Sequence, residues 1–351
     1  MLGALAYGDA LGARYEGLHL RLRPDWVRFG RGVLIWRTPG WWTDDTDMAL
    51  GILLALADLL GLDYPGAPVA TAKRPTAELA GDAGLRAVVD NWLSWRARGS
   101  LLDAGTGTVR VLHAVKALPD RSPSAVLAVS RRQLGRPHRG GGNGAVMRTA
   151  PVALAFLGDP AGAAKAAAAI AELTHPAARA TQAAALWTVL CERAVTTGAL
   201  DLVAALEHVA DSPFWADLLG SAARPGRNGR PGWTPTTVAD AWWCVQRALE
   251  AGTCGALERG VRLAVASGVD PDTTAAVAGA LLGALEGTGP LPEAARKLVH
   301  GGDWTGRRWS ISELASLAGD CVSGPRRPAV SRLWSNVHPV PLIWDSERAP
   351  L

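Results

Sequence analysis

Three aspartates fall within four residues of Trp41-Trp42-Thr43-Asp44-Asp45-Thr46-Asp47-Met48, a segment set between a Pro39-Gly40 turn and an apolar run. A helix start by itself calls for a Thr or Asp N-cap and welcomes acid at its positive end. Three carboxylates exceed that need, and a Thr hydroxyl beside paired carboxylates is the all-oxygen set that a hard cation takes. The same chemistry recurs far along the chain in Gly268-Val269-Asp270-Pro271-Asp272-Thr273-Thr274. It again opens an apolar stretch, with Pro271 suited to a first helical turn. A helix N-terminus repels cations, so acids converging on two such ends are better explained by a metal that neutralises them. If the two starts face each other, they supply four close carboxylates and two or more hydroxyls, enough for two Mg²⁺ or Mn²⁺ ions.

Other segments add weaker signals. Glu16 follows Gly8-Asp9-Ala10-Leu11-Gly12-Ala13-Arg14-Tyr15, whose small residues permit close helix packing. It reads either as an exposed loop carboxylate or as a mobile gate over the metals. Arg139-Gly140-Gly141-Gly142-Asn143-Gly144-Ala145-Val146-Met147-Arg148 is a glycine-rich loop entering a helix. Backbone N–H groups at such an end suit a diphosphate, while the plain alternative is a flexible connector. The loop matches neither a Walker A sequence nor a strand-preceded GxGxxG, which disfavours kinase and Rossmann chemistry. His175, in Thr174-His175-Pro176, has no Cys or second His at zinc spacing, leaving a cap, a surface position or a hydrogen bond to substrate. Trp92, Trp95, Trp242 and Trp243 read as core, and Trp41 and Trp42 as candidate walls of a pocket beside the acids.

The pattern that must position these residues is helical. Apolar periodicity predicts helices over 2–11, 45–60, 85–97, 106–117, 123–134, 147–157, 161–173, 177–195, 202–209, 235–251, 255–266, 272–285, 292–299 and 311–317. β-Branched alternation is nearly absent, so the expected fold is all-α. The stretches 63–84 and 221–233 read as linkers or surface loops. Motifs lie on both sides of the second, which favours one domain over 1–324 with a Pro/Arg-rich tail over 325–351.

Lys+Arg total 36 against 32 Asp+Glu, a net charge of +4 with no like-charged run, which speaks against a basic stripe for nucleic acid. Cys191, Cys244, Cys254 and Cys321 are too scattered for a zinc site or a disulfide framework. Apolar runs near 49–60 and 274–285 fall short of the ~20 residues that span a bilayer. The N-terminus lacks the basic region of a signal peptide. A cytoplasmic monomer without a membrane partner is expected.

Taken together, GDALGARYE (8–16), WTDDTDMAL (42–50), GNGAVMRTAP (142–151), THP (174–176) and GVDPDTTAAVAGALLGALEG (268–287) resemble the ADP-ribosylglycohydrolase family. His300-Gly301-Gly302-Asp303-Trp304 is a weaker terminal match, and the motifs span about 300 of the 351 residues. The resemblance implies an orthogonally packed all-α domain with a binuclear metal cleft. Carried over, Thr43, Asp44, Asp45, Asp270, Asp272 and Thr273 would be metal ligands, with Asp44, Asp45 and Asp272 also serving the reaction. Glu16 would close over the site and help to position water or the substrate ribose. Gly142, Asn143, Gly144, Ala145, Val146 and Met147 would cradle the diphosphate, with His175 nearby. Asp47 departs from the uncharged residue of many relatives, and Asp82 or Asp90 could supply a further carboxylate. The implied activity is metal-dependent hydrolysis releasing ADP-ribose, with ADP-ribosylated protein arginine as the first substrate and serine or nucleic-acid adducts as alternatives. A non-catalytic ADP-ribose-binding relative and an unrelated helical phosphatase are the competing classes; the latter would need clustered histidines that this chain lacks.

Overall fold

The computed structural model describes residues 1–32, 38–64, 75–97, 104–135, 140–287, 289 and 291–323. The tail expected over 325–351, Arg139 and residues 65–74 of the first linker stretch lie outside them. The helices, in chain order, are α1 (Leu2–Gly12), α2 (Asp44–Leu59), α3 (Asp82–Ala97), α4 (Thr106–Lys116), α5 (Pro123–Leu134), α6 (Val152–Ala155) and α7 (Pro160–Glu172). They continue with α8 (Ala178–Thr197), α9 (Leu202–Leu206), α10 (Ser212–Gly220), α11 (Thr234–Glu250), α12 (Ala256–Ser267), α13 (Pro271–Glu286), α14 (Glu293–Leu298) and α15 (Ile311–Ser323). Among the described residues the only sheet is the antiparallel pair β1 (His300–Gly302) and β2 (Arg308–Ser310), with Gly301 opposite Trp309. The fold is all-α, as the periodicity predicts.

Every residue of α1 is buried, and so is α13 from Pro271 to Leu285. A helix apolar on all sides belongs at a core rather than on a surface. The two lie against each other at a distance that only glycine permits. A Cβ on Gly8 would collide with the carbonyl of Ala275, and one on Gly12 with the backbone of Asp272. Across the seam, a Cβ on Gly283 would strike Ala4. α12, α11 and α8 surround α13, while α2 and α15 flank α1. One contiguous apolar cluster runs through these elements, with Trp42, Trp92, Trp187, Trp215 and Trp309 fully buried in it.

The helix α12 ends at Gly268, which adopts φ +67°. A side chain there would be strained by that φ and would also meet the Leu20 carbonyl. The segment after Glu16 therefore lies directly on the approach to the second acidic motif. β1 does the same for the first motif: Trp42 N–H donates to His300 O at 3.1 Å and His300 N–H to Gly40 O at 2.9 Å. Gly301 has no side chain because the Trp42 indole fills that space.

Several expected boundaries shift. The single helix predicted over 147–157 shrinks to α6, because Pro151 has no N–H to extend a helix across it. The helix predicted over 202–209 stops at Leu206, and α10 forms immediately before the supposed 221–233 linker. The described part of 63–84 contains a short 3₁₀ turn over Thr76–Ala80 and the first turn of α3. All four cysteines are free, three of them buried.

Gly8→Ala inserts a methyl group into the α1–α13 seam, and the clash with the Ala275 carbonyl outweighs the roughly 1 kcal/mol by which Ala favours a helix over Gly. It should cost about 1–3 kcal/mol, read as a lower denaturant midpoint at unchanged slope. Wild-type stability in this variant would contradict the seam as described.

Candidate metal centre and glycine-loop cradle

Thr43 occupies the N-cap position of α2 in an extended conformation, yet its side chain makes no cap hydrogen bond. The cap comes from another helix. Asp9 of α1, fully buried, accepts the amides of Thr43 at 2.9 Å and Thr46 at 3.0 Å. It also accepts the hydroxyls of Thr43 at 2.8 Å and Thr46 at 2.5 Å. Thr43 Oγ1 stands 3.1 Å from Asp45 Oδ2 as well. The N-cap amide and the orphan N3 amide of α2 are thus satisfied by a distant carboxylate, and the Thr43 side chain is released from capping.

The second start is held less locally than an ordinary cap. Asp270 is the N-cap of α13, and its carboxylate keeps an interaction with the Thr273 amide that falls short of the cap geometry with which Ser122, Asp159 and Asp201 cap α5, α7 and α9. Asp270 also accepts Asn143 Nδ2 at 2.6 Å, and Asn143 reaches Thr237 Oγ1 at 3.2 Å. Asn143, expected in the diphosphate loop, therefore ties that loop to the acidic centre. The Asp272 and Thr273 side chains also bond Asp270.

The two starts meet electrostatically. Burial pushes Asp45 well above the usual carboxylate range, and the charges of Asp9, Asp44 and Asp270 push it further. Asp272 is raised in the same way by burial, then by Glu16, Asp270, Asp45 and Asp9. Glu16 is thus placed beside the second motif rather than out in solvent. Asp45 Oδ1 and Asp272 Oδ1 are buried without a hydrogen-bond partner. Among the described residues no three His, Cys, Asp or Glu side chains already surround a common point in ligand geometry. A cation would have to draw these mutually repelling groups inward. The donor set nonetheless fits a hard divalent ion: carboxylate and hydroxyl oxygens, two of them orphaned, with no sulfur or imidazole beside them.

Behind Asp44 lies a buried cation that sequence reasoning passed over. Arg148 is fully buried, its guanidinium carbon 4.1 Å from the centre of the Trp92 ring. Burial lowers its pKa to about 9, and the Asp44 charge opposes that fall. Nη2 donates to Thr174 Oγ1 at 2.6 Å, and Thr174 Oγ1 lies 2.8 Å from His175 Nδ1.

The glycine loop differs from a backbone nest. Residues Asn143–Ala145 form one 3₁₀ turn, and the amides of Asn143, Ala145, Val146 and Met147 all donate to carbonyls within the protein. What the loop offers is surface without side chains. His175 Nε2 lies 3.2 Å from where a Cβ on Gly142 would stand and 3.0 Å from one on Gly144. Trp233 pairs with Gly142 across an isolated bridge, and its indole, 39% exposed, lies against Gly141. Two surface cavities, of about 680 Å³ and 470 Å³, are lined by none of these residues.

Other sequence candidates have structural roles. Asp47 accepts the indole N–H groups of Trp42 at 2.7 Å and Trp95 at 3.0 Å, so it serves the core. Trp42 is buried and does not wall a pocket, while Trp41 packs edge-on to His300 at 5.1 Å. Asp90 pairs with Arg121 at the surface, and Asp82 is exposed at the start of α3. Asp9 lay inside a quoted motif, but nothing local marks it as a cap for a helix 34 residues away.

The family model for ADP-ribosylglycohydrolase matches residues 1–326, and the chain belongs to the ADP-ribosylglycohydrolase family. A solved structure described as an ADP-ribosylglycohydrolase-related protein complex is similar to this chain, with a TM-score of 0.64 and 29% identity. The match covers 92% of this chain and 96% of that one. No curated protein matches the chain.

Asp9→Ala should leave two amides and a threonine hydroxyl bare and cost at least about 2 kcal/mol in denaturant unfolding. Near-neutral stability would remove Asp9 from its anchoring role. His175 yields a second expectation, since burial and then the Arg148 charge lower its pKa from 6.5 to about 3. Between those values the unfolded chain binds a proton that the folded chain does not. The stabilisation is therefore complete above 6.5 and lost as pH falls toward 3. Wild type should lose more stability than His175→Gln between about pH 7 and about pH 4.5; parallel losses would contradict it.

Proposed function

We propose that this chain hydrolyses the glycosidic bond between ADP-ribose and a modified target, and that the preferred linkage is to a protein arginine. The observation that carries the reading is the convergence of buried carboxylates from both helix starts: Asp45 and Asp272 are each raised by a charge of the opposite motif, and each keeps a buried oxygen without a hydrogen-bond partner. Asp44, Asp45, Asp270 and Asp272, with the hydroxyls of Thr43 and Thr273, would hold two divalent cations, Mg²⁺ or Mn²⁺. Such ions, when bound, lower the pKa of water and offset charge as a glycosidic bond breaks.

The chain's own residues do the rest. Asp9 fixes the direction of Thr43 Oγ1 and of the whole first turn of α2. Glu16, beside Asp272 at the edge of the centre, positions the attacking water or a ribose hydroxyl. Asn143 keeps the glycine loop in register with Asp270, so the ribose end and the phosphate end of one ligand are held by connected groups. An acid-rich centre suits a guanidinium leaving group, which is the support for arginine.

One feature favours a nucleic-acid adduct as a second reading. Arg224, Arg227 and Arg230 are exposed and pair with no carboxylate among the described residues. Their loop touches the site, because Gly226 lies against Val269 beside Asp270.

Incubation with ADP-ribosylated arginine, serine and oligonucleotide should release free ADP-ribose from the arginine adduct. Exhaustive chelation should abolish that release, and Mg²⁺ or Mn²⁺ should restore it. Undiminished turnover after chelation would refute the metal assignment, and release from the oligonucleotide alone would replace the arginine assignment.

A further inference from the structure

Within the glycine loop the amides of Asn143, Ala145, Val146 and Met147 are committed to carbonyls. The side chain nearest to Gly142 and Gly144 is His175, which can add a donor beside the amides of those two glycines. Its usefulness depends on which ring nitrogen carries the proton. An imidazole with the proton on Nδ1 would present a lone pair to a phosphate oxygen and repel it.

The surroundings settle the tautomer. Arg148 Nη2 can only donate, and it donates to Thr174 Oγ1 at 2.6 Å. The Thr174 hydroxyl has one proton of its own. Among the described residues the only remaining acceptor within reach is His175 Nδ1, at 2.8 Å. If Nδ1 carried the proton, the buried hydroxyl hydrogen would be left without a partner, at the cost of an unmade buried hydrogen bond. Nδ1 is therefore the acceptor and Nε2 the protonated nitrogen. Nε2 makes no hydrogen bond to the described residues and is not among the sealed polar atoms. Arg148 itself cannot turn away, since it is fixed over Trp92 and against the Met48 sulfur at 3.5 Å.

We propose that Arg148 and Thr174 form a buried relay that locks His175 in its Nε2–H tautomer, making it a neutral donor to a phosphate oxygen of a nucleoside-diphosphate sugar held over Gly142 and Gly144. Arg148 and Thr174 are positioning residues in this scheme; His175 is the contact. The inference rests on reading the glycine surface as the phosphate subsite, but the tautomer is measurable without any ligand. The relay also separates jobs: the positive charge stays beside Asp44, and only a dipole reaches the ligand.

The test uses the full chain with Mg²⁺ present and ¹⁵N-labelled histidine, the His175 signals being assigned by their loss in His175→Gln. Long-range ¹H–¹⁵N correlation at neutral pH should show the Nε2–H tautomer in wild type and in Thr174→Ser. Thr174→Val should lose the single tautomer and bind ADP-ribose about tenfold more weakly, as expected for a lost hydrogen bond to a charged group. Thr174→Ser should restore both. His175→Gln, whose amide nitrogen replaces Nε2, should bind better than His175→Phe. An Nδ1–H or cationic His175 in wild type overturns the relay, as does Thr174→Val with an unchanged tautomer. A correct tautomer in a wild-type protein that binds no ADP-ribose overturns the phosphate contact and the subsite reading, while leaving the relay geometry intact.

Discussion

The carboxylate of Asp9 holds the start of α2 from a different helix, and the acidic centre is arranged around that substitution. By accepting the amides of Thr43 and Thr46 it performs the work that an N-cap side chain does locally elsewhere in the chain. Thr43 is then free to offer a hydroxyl lone pair, and Asp44 and Asp45 point where no cap requires them. Asp9 can reach α2 only because α1 lies deep, between α13 and α2. Gly8 and Gly12, close on either side of it in sequence, are the residues whose missing side chains let α13 approach. One seam therefore sets both the cap and the separation of the two acidic starts.

Concentrating carboxylates in a buried place is costly, and the structure offsets that cost only in part. The positive ends of α2 and α13 favour negative charge, and Arg148 adds a full positive charge behind Asp44. Burial and mutual repulsion still hold Asp45 and Asp272 far from their ordinary ionisation. The residual imbalance, together with two orphaned oxygens, is the physical case for hard cations. The same Arg148 charge disfavours a second cation at His175, so that residue can contribute a hydrogen bond and no charge.

Around this centre, secondary contacts fix the approaches. β1 pins Gly40 and Trp42 ahead of the first motif, and Gly268 admits the segment following Glu16 beside the second. The 221–233 loop is held by Asn228, whose side chain bonds Ala223 and donates to Asp240 at 2.6 Å. Burial raises Asp240 to about 6. A loop anchored in this way presents its arginines in a defined place rather than as a free tether, which is how loops on a rigid scaffold tune selectivity.

The helical class and the two acid-rich helix starts are legible in the residues alone, because apolar periodicity and an excess of carboxylates are local properties of the sequence. It also marked Glu16, the glycine loop and His175 as polar or small residues at element ends. It could not separate Asp47 from Asp44 and Asp45, since all three share one helical turn; only the placement of Trp42 and Trp95 makes Asp47 a core acceptor. It could not mark Asp9 or Arg148, whose partners lie 34 to 37 and 26 residues away. Nor could it tell that four of the loop's amides, those of Asn143, Ala145, Val146 and Met147, are already committed, because a hydrogen bond uses up a donor only once the chain has folded. Residue type and spacing settle which chemistry is available, and three-dimensional packing settles which polar groups remain unsatisfied and so can act on a ligand.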